Sequence, residues 1–531
     1  MVGMGSLVGD SSAGDSSAVD RVVHVGPEPL AFEDVVAVAR GGARVALTDE
    51  ALKAVGEARA HIEELSARPT PVYGVSTGFG ALATRHIAPE LRDQLQLNIV
   101  RSHAAGSGPE VEREVVRALM LLRLRTLATG RTGVQPTTAR TLADLLNAEI
   151  TPQVFEFGSL GCSGDLAPLA HVALALIGEG HVRDGRGEPR PAGEALAEAG
   201  IAPVKLAAKE GLALLNGTDG MLGMLVLAMH DLRRLLTAAD LAAAMSVEAL
   251  LGTDRVFAAD LQELRPHPGQ GTSAANVRAL LAASEIMESH RGPDCTRVQD
   301  AYSLRCSPQV HGAARDTLAH AELVAGRELA SAVDNPVVLP DGRVESNGNF
   351  HGAPIAYVLD FLAIPAADVA SMSERRTDRM LDKGRSAGLP AFLADDPGVD
   401  SGHMIAQYTQ AGIVSELKRL AVPASADSIP SSAMQEDHVS MGWNAARKLR
   451  RAVDGLTQVV AIEILTAARA LDLRAPLRPG PATAAVVARL RADVPPPGPD
   501  RYLAPEIAAA TELVRDGSLV TAAEAVVGPL S

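Results

Sequence analysis

Aromatic residues are scarce in this chain: eight Phe, five Tyr and one Trp make up 3% of its 531 residues. A core short of rings must be packed from Ala, Leu and Val, a composition that favours closely packed helices. Cysteine is nearly absent too. Cys162, Cys295 and Cys306 are too few for a secreted disulfide framework, and their odd count fits a reducing compartment. No Cys-x-x-Cys, no His-Glu-x-x-His and no clustered Cys/His ligand set occurs, so the sequence calls for no metal. Basic residues are outnumbered, 49 Lys and Arg against 64 Asp and Glu, for a net charge of −15. That balance excludes a general binder of nucleic acid or of anionic membranes. No stretch reads as the run of about 20 apolar residues that spans a bilayer. The first residues, "MVGMGSLVGDSSAGDSSAVD", lack the basic and apolar segments of a signal peptide. Their Gly, Ser and Asp content predicts a disordered tail over residues 1–21, and the whole reads as a soluble, cytoplasmic protein.

What is present in quantity is helical periodicity. "LTDEALKAVGEARAHIEELSAR" (47–68) opens on a Thr cap with acids in the first turn. Residues 219–251 are apolar on most faces, which predicts a buried helix. Within 440–473, Leu449, Val453, Leu456 and Val460 repeat at intervals of four, three and four, a helix face. Segments 311–332 and 353–376 carry similar patterns. The expected fold is mainly α, with a lobe over 22–218, a central bundle of long helices over 219–474 and a helical segment over 475–531. The Pro/Gly-rich stretches 475–481 and 495–499 read as linkers.

Residues 159–165, "SLGCSGD", place Cys162 beside Ser163 between glycines. The ordinary candidates fail. A nucleophile elbow needs Gly two residues after the serine, and Asp165 stands there; a phosphate loop needs Lys and Ser/Thr after its glycines. A bare turn before a helix capped by Asp165 would account for the seven residues alone.

The wider stretch "GSLGCSGDLAPLAH" (158–171) resembles the signature of the aromatic amino acid lyases, the family of histidine, phenylalanine and tyrosine ammonia-lyases and related aminomutases. The likeness runs from about residue 22 to about residue 520. It passes through "YGVSTGFG" (73–80), "IVRSHAAG" (99–106), "LLNGTDG" (214–220), "RVQDAYSLRC" (297–306), "SAVDNP" (331–336), "NGNFHG" (347–352) and "MQEDHVSMG" (434–442). The resemblance implies an aspartase/fumarase-like helical bundle with an N-terminal lobe bearing an electrophile, methylidene-imidazolone (MIO). In that family an Ala-Ser-Gly tripeptide cyclises on itself, with no external cofactor. Here Cys162 would supply the carbonyl, Gly164 the attacking nitrogen and Ser163, dehydrated, the exocyclic methylene. Cys162 replaces the commoner Ala, but its side chain lies outside the ring. Glycine suits the attacking position because it lacks a Cβ.

The resemblance also implies roles. Tyr73, on a loop with Gly74, Gly78 and Gly80, matches the family's base for the β-proton. Tyr302 matches a hydrogen-bonding partner that assists proton handling. Arg305 matches the holder of the substrate carboxylate, a task suited to its bidentate fork. Asn216 and Gln299 match polar contacts to the electrophile and the carboxylate, and Phe350 a pocket wall. Ser102-His103 stands where phenylalanine-selective members carry an aromatic-plus-Leu pair, and it resembles the histidine-selective ones. Glu436 replaces the amide of phenylalanine-type members. A carboxylate there can accept an imidazole N–H, whereas beside a phenyl ring it would be an unpaired buried charge. The implied reaction is loss of ammonia from L-histidine to give trans-urocanate, the first step of histidine degradation, in a homotetramer whose sites are shared between chains. A phenylalanine or tyrosine ammonia-lyase or an aminomutase of the family is the alternative. A non-catalytic relative would be expected to lack Ser163, Tyr73 or Arg305, and all three are present.

Overall fold

The computed structural model describes residues 21–68, 72–78, 85–185, 187–292, 295 and 298–531. Residues 1–20 of the expected tail, and Gly80 of the Tyr73 loop, lie outside them. The chain divides into two compact units. The first runs to Gly223 and takes in Leu329–His351 and Ser431–Glu436; the second comprises Met224–Glu328, Gly352–Pro430 and Asp437–Ser531.

In the first unit, β1 (Val22–Val25) pairs in parallel with β2 (Arg44–Leu47), Val22 opposite Arg44 and Val25 opposite Leu47. Helix α1 (Asp49–Ala67) follows at once. Thr48 Oγ1 accepts the Ala51 N–H at 3.2 Å, Asp49 and Glu50 occupy the first turn, and Ala51, Val55, Ala58 and Ile62 form the buried stripe. The expected start of this helix is therefore the observed one. Three further helices carry the site: α2 (Arg92–His103), α3 (Arg113–Ala128) and α4 (Leu166–Leu176).

Helix α5 (Asp219–Ala249) starts in the first unit and continues into the second. It is buried along almost all its length, as its all-round apolarity requires. One acid on its second-unit stretch, Asp240, is fully buried and satisfied: His311 Nδ1 lies at 2.8 Å, and Arg315, Ser273 and Asn276 donate to it. Those partners hold its carboxyl well below the usual range, although burial alone would raise it.

The second unit is built on α6 (Ser307–Leu329), α7 (Ala353–Leu381), α8 (Met404–Leu420) and α9 (Gly442–Asp472). The α7–α9 pairing is its most extensive helix contact. Leu449, Val453, Leu456 and Val460 are all buried on α9, on the face their spacing predicts. Gly455 lets α8 approach, since a Cβ there would stand 2.9 Å from Leu417 Cδ2. Helix α7 corrects one expectation. A window of it reaches a mean hydropathy of 1.6, so by length and composition it is able to cross a membrane. Much of that window, 61%, is instead buried inside the protein, as in the core helix of a globular bundle. Beyond α9 the chain forms the helices Pro481–Arg491, Ala504–Arg515 and Ser518–Val527.

Candidate active site

The stretch 161–164 is a tight turn in which Gly161 (φ +67°) and Gly164 (φ +82°) take the left-handed conformation. Hydrogen bonds grip it on both sides. Ser159 Oγ accepts the Gly161 N–H at 3.1 Å, and the Asp165 N–H donates to the Gly217 carbonyl at 2.7 Å. The backbone of the 214–220 stretch presses on Gly164 so closely that a Cβ there would stand 2.0 Å from the Gly217 oxygen. Gly217 is hemmed in turn: its own Cβ would lie 1.5 Å from Arg123 Nη2. Arg123 pairs with Asp219 at the first residue of α5 and donates to the Ala213 carbonyl at 3.2 Å. The close approach of the 214–220 backbone to Gly164 is thus backed by a buried ion pair. The residues present fit a ring closed between Cys162 and Gly164: the attacking position is a glycine, and its missing Cβ is what admits the neighbouring 214–220 backbone.

Asp165 does not act as the sequence suggests. It precedes α4 but makes no side-chain cap to it. Its Oδ2 accepts the N–H groups of Gly220 and Met221, both at 2.9 Å, and its Oδ1 accepts Ser159 Oγ at 3.0 Å. The carboxyl therefore caps α5 and ties the turn to that helix. Burial outweighs these donors and pushes its pKa up to about 7.

Ser163 is half-buried and faces a cavity of about 620 Å³. Tyr73, His103, Asn216, Asn335 and Glu436 also line it. Helix α2 supplies one wall with Leu95, Asn98, Ile99 and Ser102, one face of a helix by spacing. Gly74 (φ +74°) seats the Tyr73 turn, because a Cβ there would come within 2.8 Å of Pro336 Cδ. Asn216 is buried, and its Nδ2 donates to the carbonyls of Leu212 at 3.3 Å and Asn335 at 3.0 Å. Glu436 Oε1 accepts Ser163 Oγ at 3.2 Å. Ser102 Oγ lies 3.1 Å from His103 Nδ1. Burial lowers the His103 pKa, while the Glu436 charge works against that shift. Burial, reinforced by the same carboxylate, pushes the Cys162 thiol up to about 12. At neutral pH Cys162 is therefore a buried thiol, not an activated nucleophile.

The first unit thus gathers Tyr73, His103, Ser163, Asn216 and Glu436 around one cavity. Phe350 is half-buried in that unit and is not among the residues lining it. Tyr302, Gln299 and Arg305 belong to the second unit, where Gln299 and Arg305 line a separate cavity of about 280 Å³. Tyr302 is 70% exposed, with the Arg305 guanidinium 4.6 Å from its ring centroid. The helical turn Tyr302–Arg305 is held by Arg376, which donates to the Ser303 carbonyl at 3.2 Å and pairs with Glu463 at 2.5 Å, both side chains fully buried.

Sequence reasoning missed several contributors. Asn335 lines the cavity, and its carbonyl fixes Asn216. Its neighbour Asp334 is paired with Lys209 at 2.5 Å, both fully buried. The motif "SAVDNP" carries Asp334 and Asn335 and was the available signal. Nothing local marks Arg123, Lys209 or Ser431, whose partners lie far away or on an irregular loop.

The aromatic amino acid lyase family profile matches residues 30–492. A histidine ammonia-lyase of Streptomyces avermitilis is 69% identical over 512 residues, covering 96% of this chain and 100% of the relative. Among solved structures, a tyrosine aminomutase from Streptomyces globisporus superposes with a TM-score of 0.89 at 39% identity, covering 94% of this chain and 98% of that one. The histidine ammonia-lyase of Trypanosoma cruzi gives a TM-score of 0.87 at 38% identity, with 95% of each chain covered.

Proposed function

Since the chain belongs to the aromatic amino acid lyase family and is an ammonia-lyase, we propose that it eliminates ammonia from L-histidine to give trans-urocanate. The observation that carries this reading is the carboxylate of Glu436 beside His103 in the cavity that Ser163 faces. An imidazole offers that carboxylate an N–H; a phenyl ring would leave it an unpaired charge.

Two chemical difficulties must be met: the amine is a poor leaving group, and the β-hydrogen is barely acidic. An MIO group closed between Cys162 and Gly164, with Ser163 dehydrated, supplies an electrophile for the amine. In this reading Tyr73, which lines the same cavity, takes the β-proton through its phenolic oxygen. Asn216 lines the cavity with its amide oriented by two carbonyls, a rigid polar group for orienting substrate. Asp165 and α4 put a helix N-terminus directly after the tripeptide, where the dipole favours developing negative charge.

Arg305, Gln299 and Tyr302 complete the set in this reading, holding the carboxylate and assisting proton handling, with Phe350 as a wall. An assembly of four copies would bring them to the cavity from a neighbouring chain. The exposure of Tyr302 supports this, as do Tyr357, Phe361 and Ile364, exposed along α7. The cytoplasm is the proposed compartment, in line with three unpaired cysteines.

The 39% identity to a tyrosine aminomutase keeps a second reading in view, in which the amine returns to the β-carbon. The test is to incubate the purified chain separately with L-histidine, L-phenylalanine and L-tyrosine and to identify the products. Urocanate and ammonia from histidine alone are expected. Cinnamate or coumarate would overturn the substrate, and a β-amino acid would overturn the reaction.

A further inference from the structure

Glu436 sits on a short loop that reaches the site from far along the sequence, and its carboxylate has no Lys or Arg partner among the described residues. What holds it is Ser431. The two residues pair through their backbones: the Ser431 N–H donates to the Glu436 carbonyl at 3.0 Å, and the Glu436 N–H donates to the Ser431 carbonyl at 3.3 Å. Between them Ser432, Ala433 and Met434 all take positive φ, so the loop doubles back tightly. Ser431 Oγ then donates to Glu436 Oε2 at 3.0 Å, while Oε1 accepts Ser163 Oγ at 3.2 Å. The two hydroxyls face different oxygens of one carboxylate. Dehydration of Ser163, on the reading above, removes one of them and frees Oε1 toward the cavity. Ser431 is then the remaining side-chain hydroxyl on Glu436. The Cys162 thiol also hydrogen-bonds this carboxylate, and the charge-assisted bond from Ser431 narrows the rotation that a flexible Glu would otherwise spread over several rotamers.

We propose that Ser431 is a positioning residue for substrate recognition: acting through Glu436, it aims Oε1 at the imidazole and sets the preference for histidine. This rests on the role given to Glu436 under the proposed function. The test is a double-mutant cycle on the full-length enzyme, with Ser431→Ala, Ser431→Thr, Glu436→Gln and the Ser431→Ala/Glu436→Gln pair. The measurements are kcat and KM for L-histidine and the mass of the peptide spanning Cys162–Gly164. Ser431→Ala is expected to lower kcat/KM about tenfold, mainly through KM, with the peptide mass unchanged from wild type. Ser431→Thr should restore it to within about twofold, and in the Glu436→Gln background Ser431→Ala should change it less than about twofold. Equal losses in both backgrounds, no rescue by Thr, or a peptide heavier by water in Ser431→Ala would each overturn the proposal while leaving the histidine reading intact. Unchanged histidine turnover in Glu436→Gln would instead overturn the role of Glu436 itself, and the proposal with it.

Discussion

Two sides of the same cavity are built in opposite ways. Behind Ser163 the protein is over-determined: Gly164 against Gly217, Gly217 against Arg123, Arg123 against Asp219, with Asp165 fully buried between them. Across from it, Glu436 stands on a loop whose residues 432–435 are exposed and whose shape depends on a few hydrogen bonds. On the proposed function, the first side must hold a backbone for ring closure, which takes rigid partners on every face. The second must only present one carboxylate to a ring, which a loop can do and a loop can change. On the proposed function, chemistry shared by a family is housed in the buried side, and the choice of substrate in the exposed one.

The comparison is broken most directly at Gly217. A Cβ there would occupy the Arg123 guanidinium, so Gly217→Ala is expected to leave the tripeptide uncyclised and urocanate formation undetectable; peptide mass and product assay check both. Next in size is Lys209→Met, which strands Asp334 as a buried unpaired charge. Thermal or denaturant unfolding should show a loss of about 3–5 kcal/mol, and the Asn335 wall should loosen with it. Glu436→Gln tests the other side. Histidine kcat/KM should fall about a hundredfold, with the unfolding midpoint and the peptide mass unchanged, because only recognition is removed. A variant that also failed to mature would blur the division drawn here.

The smallest effect, taken per pH unit, concerns Asp165. Burial raises the Asp165 pKa from 3.8 to about 7, so the folded chain holds a proton there that the unfolded chain has released. The stability this adds is complete below about pH 4 and is lost as pH rises through about 7. Between those limits wild type should lose up to about 1.4 kcal/mol per pH unit relative to Asp165→Asn, measured by denaturant unfolding at matched pH. Parallel slopes would mean that the three donors to Asp165 keep it ionised.

How much of this could be read from the sequence depends on how local the cause is. Helix α1 was legible to its first residue because Thr48 and the two acids act within one turn. The long helices were legible because apolar spacing repeats over many turns, as in Leu449 to Val460. The stretch 161–164 was singled out by its motif, though its left-handed glycines were not foreseen. Asp165 was misread, since its capping partner is a helix more than fifty residues on, and no local rule distinguishes the two. Ser431 was invisible for a related reason: its value comes from three successive left-handed residues, none of them Gly or Asn. Helix α7 was legible as a helix over 353–376, but its membrane-length apolar window was missed, and hydropathy alone does not separate a bilayer from a protein interior.

The central claim is that Cys162, Ser163 and Gly164 act as one electrophile and not as separate side chains. The most direct test is the mass of the peptide that carries them, cut from the purified protein. A mass short of two water molecules in wild type, and the full mass in Ser163→Ala together with loss of histidine turnover, is the predicted result. Full mass in an enzyme that still releases ammonia from histidine would contradict the account.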